Sequence, residues 1–538
     1  MIKNKLAFIS LVILVLYSRR GSTITNPQVW AEDGVVFIPE FLEYGISSLL
    51  IPIAGYLAFI PKIITGISLT FPYEYPVVSS TLAWLYTVFV LSIICYAPLI
   101  LKGRFLCAIG CLMIPSDPEV FGTSIYTLWW SGLLVIIISL WRDNETWIKT
   151  RISLLFIAGL STPISVILSP IFFVRSLIFK RKTDKTILIS SIFCSIIQLY
   201  FIFINDTGSA LNEYNEKKIT TIFKKFFGYF ILNHDTELNG QLWIISYIFL
   251  IFIIVCLIKI KSKFLSFALI YILFINIFLS VYRVNISELH PIFAGPRYFF
   301  FPYIIIFWIL IQGIYSFKNN ILKYLVIIFL SLMLYNSFSS GWSRDHDDLF
   351  WAKNLESSKY FDGYNMPIQF DGKESNSWKR FYDNTILSKI NSRKSSYHNS
   401  EIFLYNSFNL YNFKVSEKLG YINKRNINKI HIQEFFYENL NRTDILRFRF
   451  KATDRNNLIC KLKCNINNKI IYTTSDKITD ITVLITGENL VNKTRLKPSK
   501  ERTVLDFSSK KLPKNFTIEL RGSKSLNKNE WIDIYFTF

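Results

Sequence analysis

The chain has 538 residues, 51% of them hydrophobic and 17% aromatic, and its mean hydropathy is +0.32. That composition excludes an ordinary soluble domain and points to a polytopic α-helical membrane protein. The formal net charge is +22, but no nucleic-acid-binding module accompanies it, so the expected anionic partners are lipid phosphates and surface glycolipids.

Seven cysteines are scattered, mostly inside apolar runs, without a zinc pattern.

Taken in chain order, Met1 to Lys5 is basic, Leu6 to Tyr17 is apolar, and Arg19-Arg20 follows. No small-x-small cleavage site follows, so this reads as a short first transmembrane helix rather than a signal peptide. Further apolar runs cover roughly 77–101, 105–115, 124–141, 152–160, 164–179, 186–204, 242–258, 264–282, 298–315 and 323–337. With the first, they predict about eleven spans, judged against roughly 20 residues per crossing. The short pair around Ser161-Thr162-Pro163 also fits one broken or re-entrant element.

Alternate gaps carry the cations: Lys102 and Arg104; Arg142, Lys149 and Arg151; Arg175, Lys180, Arg181, Lys182 and Lys185; Lys259, Lys261 and Lys263; Lys318. The positive-inside bias makes these gaps cytoplasmic. The N-terminus is then cytoplasmic, and 20–76, 116–123, 205–241, 283–297 and the tail lie outside. The tail is polar and Asn/Lys/Ser-rich. It reads as mixed helix and loop over 340–440. Over 441–538 it becomes short alternating runs, "ILRFRFKA", "KIIYTTS", "ITVLITG", "NFTIELRG" and "WIDIYFTF", which predict a β-sandwich.

Chemistry concentrates outside. "NPQVWAEDGVVFIPEF" places Glu32 and Asp33 just after the first helix. The apolar stretches that follow are broken by Pro and Gly, and read as helices lying in the outer interface. "IPSDPEVFGTSIYTLWW" offers Asp117 and Glu119 at the same face, and "FAGPRYFFFP" offers Arg297. Arg19, Arg20, Lys62, Lys217, Lys218, Lys224, Lys225 and Arg283 lie at that level too. A carboxylate can take the proton of an acceptor hydroxyl, and a cation can hold a departing phosphate. Together they describe group transfer from a lipid phosphate. An acid pair at an interface also fits a solvated or capping feature. His234 and His290 fit ordinary loop residues. Trp129 and Trp130 fit the interfacial belt or a sugar-stacking surface.

The motifs "WAEDGVVF", "IAGYLAFIPK", "SDPEVFGTSIYTLWW" and "GPRYFFFP" resemble those of GT-C fold glycosyltransferases. The overall build over 1–339 is similar to the serotype-converting glucosyltransferases that decorate O-antigen lipopolysaccharide. The resemblance implies a bacterial inner-membrane enzyme with its tail in the periplasm, a polyprenyl-phosphate-linked sugar as donor, and a polysaccharide or glycolipid acceptor. It implies inverting displacement with Asp33 as base and Glu32 as the alternative. Asp117 and Glu119 would position the acceptor or a metal, and Arg297, with Arg20 and Lys62, would bind the donor phosphate. No cofactor is implied with certainty, and a divalent metal is left open. A polysaccharide ligase or polymerase and a lipid-linked saccharide flippase are the rival readings. The ligase is disfavoured by the early position of the suggestive loops, and the flippase by acids clustered in loops rather than helices.

Overall fold

The computed structural model describes residues 5–142, 147–205, 217–232, 242–286, 289–346, 349, 351–358, 363–369 and 378–391, and the strands 445–451, 458–463, 469–474, 481–487, 490–495, 503–506, 515–522 and 531–537. The chain divides into two compact units, Met1–Thr70 with Tyr75–Asp347, and Phe71–Glu74 with Asp348–Phe538.

The first unit is helical. Its order is α1 (Lys5–Arg20), α2 (Ser22–Thr25), a π-helical turn (Asp33–Phe37), α3 (Ile38–Tyr44), a 3₁₀ turn (Gly45–Leu50), α4 (Phe59–Ser68), α5 (Tyr75–Tyr96), α6 (Arg104–Met113), α7 (Thr127–Ser139), α8 (Ile148–Gly159), α9 (Ile164–Phe179), α10 (Lys182–Ile204), α11 (Lys217–Phe223), a second π-helical turn (Lys224–Gly228), α12 (Tyr229–Ile231), α13 (Leu242–Lys259), α14 (Lys263–Arg283), a 3₁₀ turn (Pro296–Phe299), α15 (Phe300–Ser316) and α16 (Asn320–Ser339). Among the described residues, six helices are long and apolar enough to cross a membrane: α5, α10, α13, α14, α15 with its leading turn, and α16. The remaining apolar runs fold as shorter helices. α6 has 10 residues, about 15 Å against a hydrocarbon core of about 30 Å. Six crossings are therefore given by helix length, and the full figure of about eleven rests on the sequence pattern.

Burial sorts the helices. α7 and α15 are apolar all round and almost wholly buried, as central helices must be. α10, α13 and α16 leave Ile196, Phe203, Ile251, Ile258, Tyr324 and Tyr335 exposed, as lipid-facing helices do.

At the ends predicted to be cytoplasmic, Arg175 Nε meets Asp184 Oδ1 at 2.6 Å and Arg151 lies 4.0 Å from the same oxygen. One carboxylate thus pins α8, α9 and α10. At their other ends, the break at Leu160–Pro163 faces the segment that leads into α4. Ser161 Oγ accepts the Ile60 N–H at 3.0 Å. The Gln198 amide accepts from Leu57 N–H at 2.9 Å and donates to the Gly159 carbonyl at 3.0 Å. The break gives this segment its anchor.

The segment folds as the short amphipathic helices expected of an interface. α4 buries Pro61, Lys62, Ile64, Thr65 and Ser68 and exposes Ile63 and Ile67.

In the second unit, α17 (Trp351–Ser358), β1 (Gly363–Ile368), β2 (Trp378–Asp383) and α18 (Asn384–Asn391) precede β3 (Ile445–Lys451), β4 (Leu458–Lys463), β5 (Lys469–Thr474), β6 (Ile481–Gly487), β7 (Leu490–Arg495), β8 (Thr503–Asp506), β9 (Asn515–Gly522) and β10 (Trp531–Thr537). β1 and β2 pair antiparallel, from Gly363↔Asp383 to Ile368↔Trp378. The Asp383 carboxylate accepts the Ile386 N–H at 2.9 Å, capping α18. The later strands form two antiparallel sheets, ordered β3-β10-β5-β8 and β4-β9-β6-β7. Most of the region expected to be mixed helix and loop lies outside the described residues.

Candidate active site

The carboxylate pair stands where the segment after α2 turns. Asp33 N–H donates to the Trp30 carbonyl at 2.8 Å, and the chain enters a π-helical turn at Asp33, a rare wide turn that is frequent at functional sites. The two acids part company there. Asp33 is 2% exposed, and the Ile125 N–H and Ser124 hydroxyl lie against its carboxylate. Burial, and then the charge of Glu32, push its pKa well above the usual carboxylate range. Glu32 is only partly buried, and its field reaches Tyr56, Tyr126 and Arg297. One oxygen of each acid, Glu32 Oε2 and Asp33 Oδ1, is buried without a hydrogen-bond partner among the described residues, and so is Trp30 Nε1. Unsatisfied buried polar atoms call for an explanation, and three of them fall within four consecutive residues.

The second loop supplies Glu119, 8% exposed, whose Oε1 sits 2.7 Å from Arg297 Nη1. Its Oε2 accepts the Arg297 backbone N–H at 3.3 Å, and Tyr126 Oη donates to Oε1 at 2.5 Å. Glu119 thus fixes both a guanidinium and a phenol. Arg297 remains 35% exposed, so part of its fork is open. Gly295, at φ 67°, makes the left-handed turn that brings Pro296 and Arg297 to this position.

Asp117 is held elsewhere. Its Oδ1 lies 3.1 Å from Arg344 Nη1, and burial raises its pKa against the opposing pull of Arg344. Arg344 and Arg20 both cover the Trp30 ring, at 5.0 and 5.1 Å from its centroid. Arg20 Nη2 is 2.9 Å from His346 Nε2. A guanidinium only donates, so Nε2 accepts and the ring proton sits on Nδ1, 3.4 Å from the Asn26 carbonyl. Burial, then Arg20, hold His346 well below the usual histidine range.

The structure therefore joins Glu119, Tyr126 and Arg297 in one cluster and sets Glu32 within electrostatic reach of it, with Asp33 buried next to Glu32 and Asp117 held by Arg344. It separates Lys62. That ammonium is 1% exposed, ion-pairs with Glu40 at 2.7 Å, and donates to the Ser48 and Ile51 carbonyls at 2.8 and 2.6 Å. Its three protons are committed, which leaves none for a phosphate. Arg20 is fully buried and engaged with His346 and Trp30, so it shapes the wall rather than reaching a ligand. Among the other cations, Lys225 donates to the Ile286 and Leu289 carbonyls at 2.6 and 2.5 Å, and Arg19 donates to Ile114, Ser116 and Ser337. His290 accepts two N–H groups of its own loop. His234 and the side chains of Lys217 and Lys218 lie outside the described residues.

Tyr126, Arg344 and His346 escape a reading by loops. Tyr126 is hidden as the entry to an apolar helix. Arg344 and His346 belong to "GWSRDHDD", directly after α16; the cluster of Trp, Arg and His there is the signal that could have found them. Among the described residues no group of three or more His, Cys, Asp or Glu is placed to hold a metal ion. Asp117 and Glu119 each pair with an arginine, Arg344 and Arg297.

No protein-family model matches the chain, and no curated protein matches it. Among solved structures, it is similar to the arabinosyltransferase EmbB from Mycobacterium smegmatis, at 8% identity and a TM-score of 0.28, over 99% of this chain and 64% of that one. The chain thus spans less than two thirds of that protein's length, and a likeness this weak neither supports nor opposes a functional reading.

Proposed function

We propose that the protein is a bacterial inner-membrane glycosyltransferase that moves a sugar from a polyprenyl-phosphate donor to a polysaccharide or glycolipid acceptor on the periplasmic face. The observation that carries the reading is the cluster of Glu119, Tyr126 and Arg297, with the Arg297 guanidinium partly open and Glu32, one carboxylate oxygen unpartnered, within electrostatic reach of it.

In the proposed step the acceptor hydroxyl loses its proton to a carboxylate. Its oxygen then attacks the anomeric carbon, and the bond from that carbon to the phosphate oxygen breaks with inversion. Arg297 takes the charge of the leaving polyprenyl phosphate through its fork. Glu119 and Tyr126 position that fork and do not meet the sugar. Between the two acids, Asp33 is enclosed at 2% exposure while Glu32 is only partly buried, so Glu32 is the better placed to meet an acceptor hydroxyl. This reverses the order that the family resemblance implies. Asp33 then packs the turn against Ser124 and Ile125. In the proposed topology the N-terminus is cytoplasmic, and the two sheets of the second unit form a periplasmic sandwich.

The test is reconstitution. Purified protein in liposomes should transfer sugar from a polyprenyl-phosphate donor to an acceptor glycan and release polyprenyl phosphate. A protein that used only nucleotide sugars, or moved the donor across the bilayer without transfer, would refute the reading.

A further inference from the structure

Neither the acid pair nor the Lys62 clamp uses the turn between Ile53 and Tyr56. Ile53 and Tyr56 exchange both backbone hydrogen bonds, at 2.9 and 3.0 Å, so Ala54 and Gly55 are the two central residues of a tight hairpin. Both have positive φ, 48° and 84°. This is the mirror-image two-residue turn that demands φ above zero twice. Gly55 adopts it freely. Ala54 carries a β-carbon into the left-handed region, and such strain persists where the surroundings enforce it, commonly at a site.

The turn presents Tyr56. Its ring is half-buried, and the ionisable groups near enough to act on its phenol are Arg283, Tyr298, Arg297 and Glu32. They come from the outer end of α14, the 3₁₀ turn before α15, and the first loop. Ser280, one turn before Arg283, donates to the Tyr298 carbonyl at 3.3 Å, which pins the end of α14 beside Arg297. Glu119 neutralises Arg297. Arg283 is exposed and has no ion pair among the described residues. An uncompensated guanidinium within electrostatic reach of a phenol suits an anion better than a neutral sugar hydroxyl. A phenol accepts from a guanidinium and still has its own proton to give. Burial above all pushes the pKa of Tyr56 up to about 12, so it keeps that proton at neutral pH.

We propose that Tyr56 is a further substrate-contacting residue, whose hydroxyl donates to an oxygen of a lipid-borne phosphate ester held between Arg283 and Arg297. The proposal rests on the glycosyl-transfer reading of the same site.

The probe is a polyprenyl phosphate without sugar, titrated against the full-length protein in nanodiscs, with inorganic phosphate as a separate arm. Tyr56→Phe keeps the ring and removes only the hydroxyl; it should weaken lipid binding about tenfold or more. Arg283→Ala should weaken it comparably, and the double variant should lose less than the product of the two, because both groups serve one phosphate. Ala54→Gly, which relieves the strained φ and keeps the phenol, should bind as the parent does. In turnover, Tyr56→Phe should raise the donor KM with little change in kcat, a split that mere loosening of the turn would not give. Equal lipid binding by the parent and Tyr56→Phe overturns this proposal and leaves transfer standing. Failure of the parent to bind the lipid overturns both. A response to Tyr56→Phe confined to inorganic phosphate removes the lipid from the site and overturns the link to the donor.

Discussion

Asp33 and Glu32 differ by one position and one methylene, yet the fold gives them opposite surroundings. A carboxyl whose folded pKa lies above its unfolded value binds more protons folded than unfolded. Its contribution to stability therefore falls as pH rises from the unfolded pKa, about 4, toward the folded one. Asp33→Asn removes that pH-dependent loss. The variant should gain in melting temperature relative to the parent between acid and neutral pH, with little difference at the acid end; a constant gap across that range would contradict the assignment. Arg297→Lys keeps the charge and loses the fork that Glu119 orients, so turnover should fall about tenfold or more. Wild-type rates in a steady-state assay would take Arg297 out of the mechanism. At this scale the sequence placed Glu32, Glu119 and Arg297 at one face, because external loops between basic gaps must share a side. It could not separate Asp33 from Glu32, because their difference is burial, which comes from Ser124 and Ile125 far along the chain. It could not see that Lys62 is enclosed by Glu40, Ser48 and Ile51 either, since a lysine in an amphipathic helix reads as exposed.

The same Lys62 matters more as part of an element. Its ammonium ties α4 to α3 and to the 3₁₀ turn that begins at Gly45. Lys62→Met would leave two carbonyls and a carboxylate without their donor. Breaking a buried pair costs about 3–5 kcal/mol, and the 21% exposure of Glu40 puts this one at the low end. Lower thermal stability and faster proteolysis between α3 and α4 should report it, and an unchanged melting temperature would show that the clamp is dispensable. Elements themselves were legible where apolar runs were long: each of the runs read as a span is helical, from α1 to α16. Strands were legible where alternation was clean, as in β3, β5, β6, β9 and β10. β1 and β2, which pair inside the stretch expected to be helix and loop, were missed, as were β4 ("LICKLK"), β7 ("LVNKTR") and β8 ("TVLD"), since charged and asparagine residues interrupt the period or the run is too brief.

For the whole molecule, the sign of the loops and the position of the site have to agree. The Arg151–Arg175–Asp184 cluster lies at the ends of α8 to α10 opposite the Leu160–Pro163 break, which fits basic ends inside and the carboxylate cluster outside. Reporter fusions should therefore read cytoplasmic after Lys185 and Lys263 and periplasmic after Phe538; a cytoplasmic reading at Phe538 would invert the arrangement. The boundary between the units was less legible. Polar composition begins near 340, but Arg344 and His346 still pack against Arg20 and Asp117, so the first unit runs on to Asp347.

The central claim is that a carboxylate in this cluster activates the acceptor for sugar transfer from a lipid phosphate. Its most direct test is the single-turnover rate in liposomes loaded with polyprenyl-phosphate sugar, compared among the parent, Glu32→Gln and Asp33→Asn. Removing a general base typically lowers the rate about 10²–10⁴-fold. Glu32→Gln should show that loss with donor binding intact, and Asp33→Asn a smaller one. Parental rates in Glu32→Gln would contradict the account.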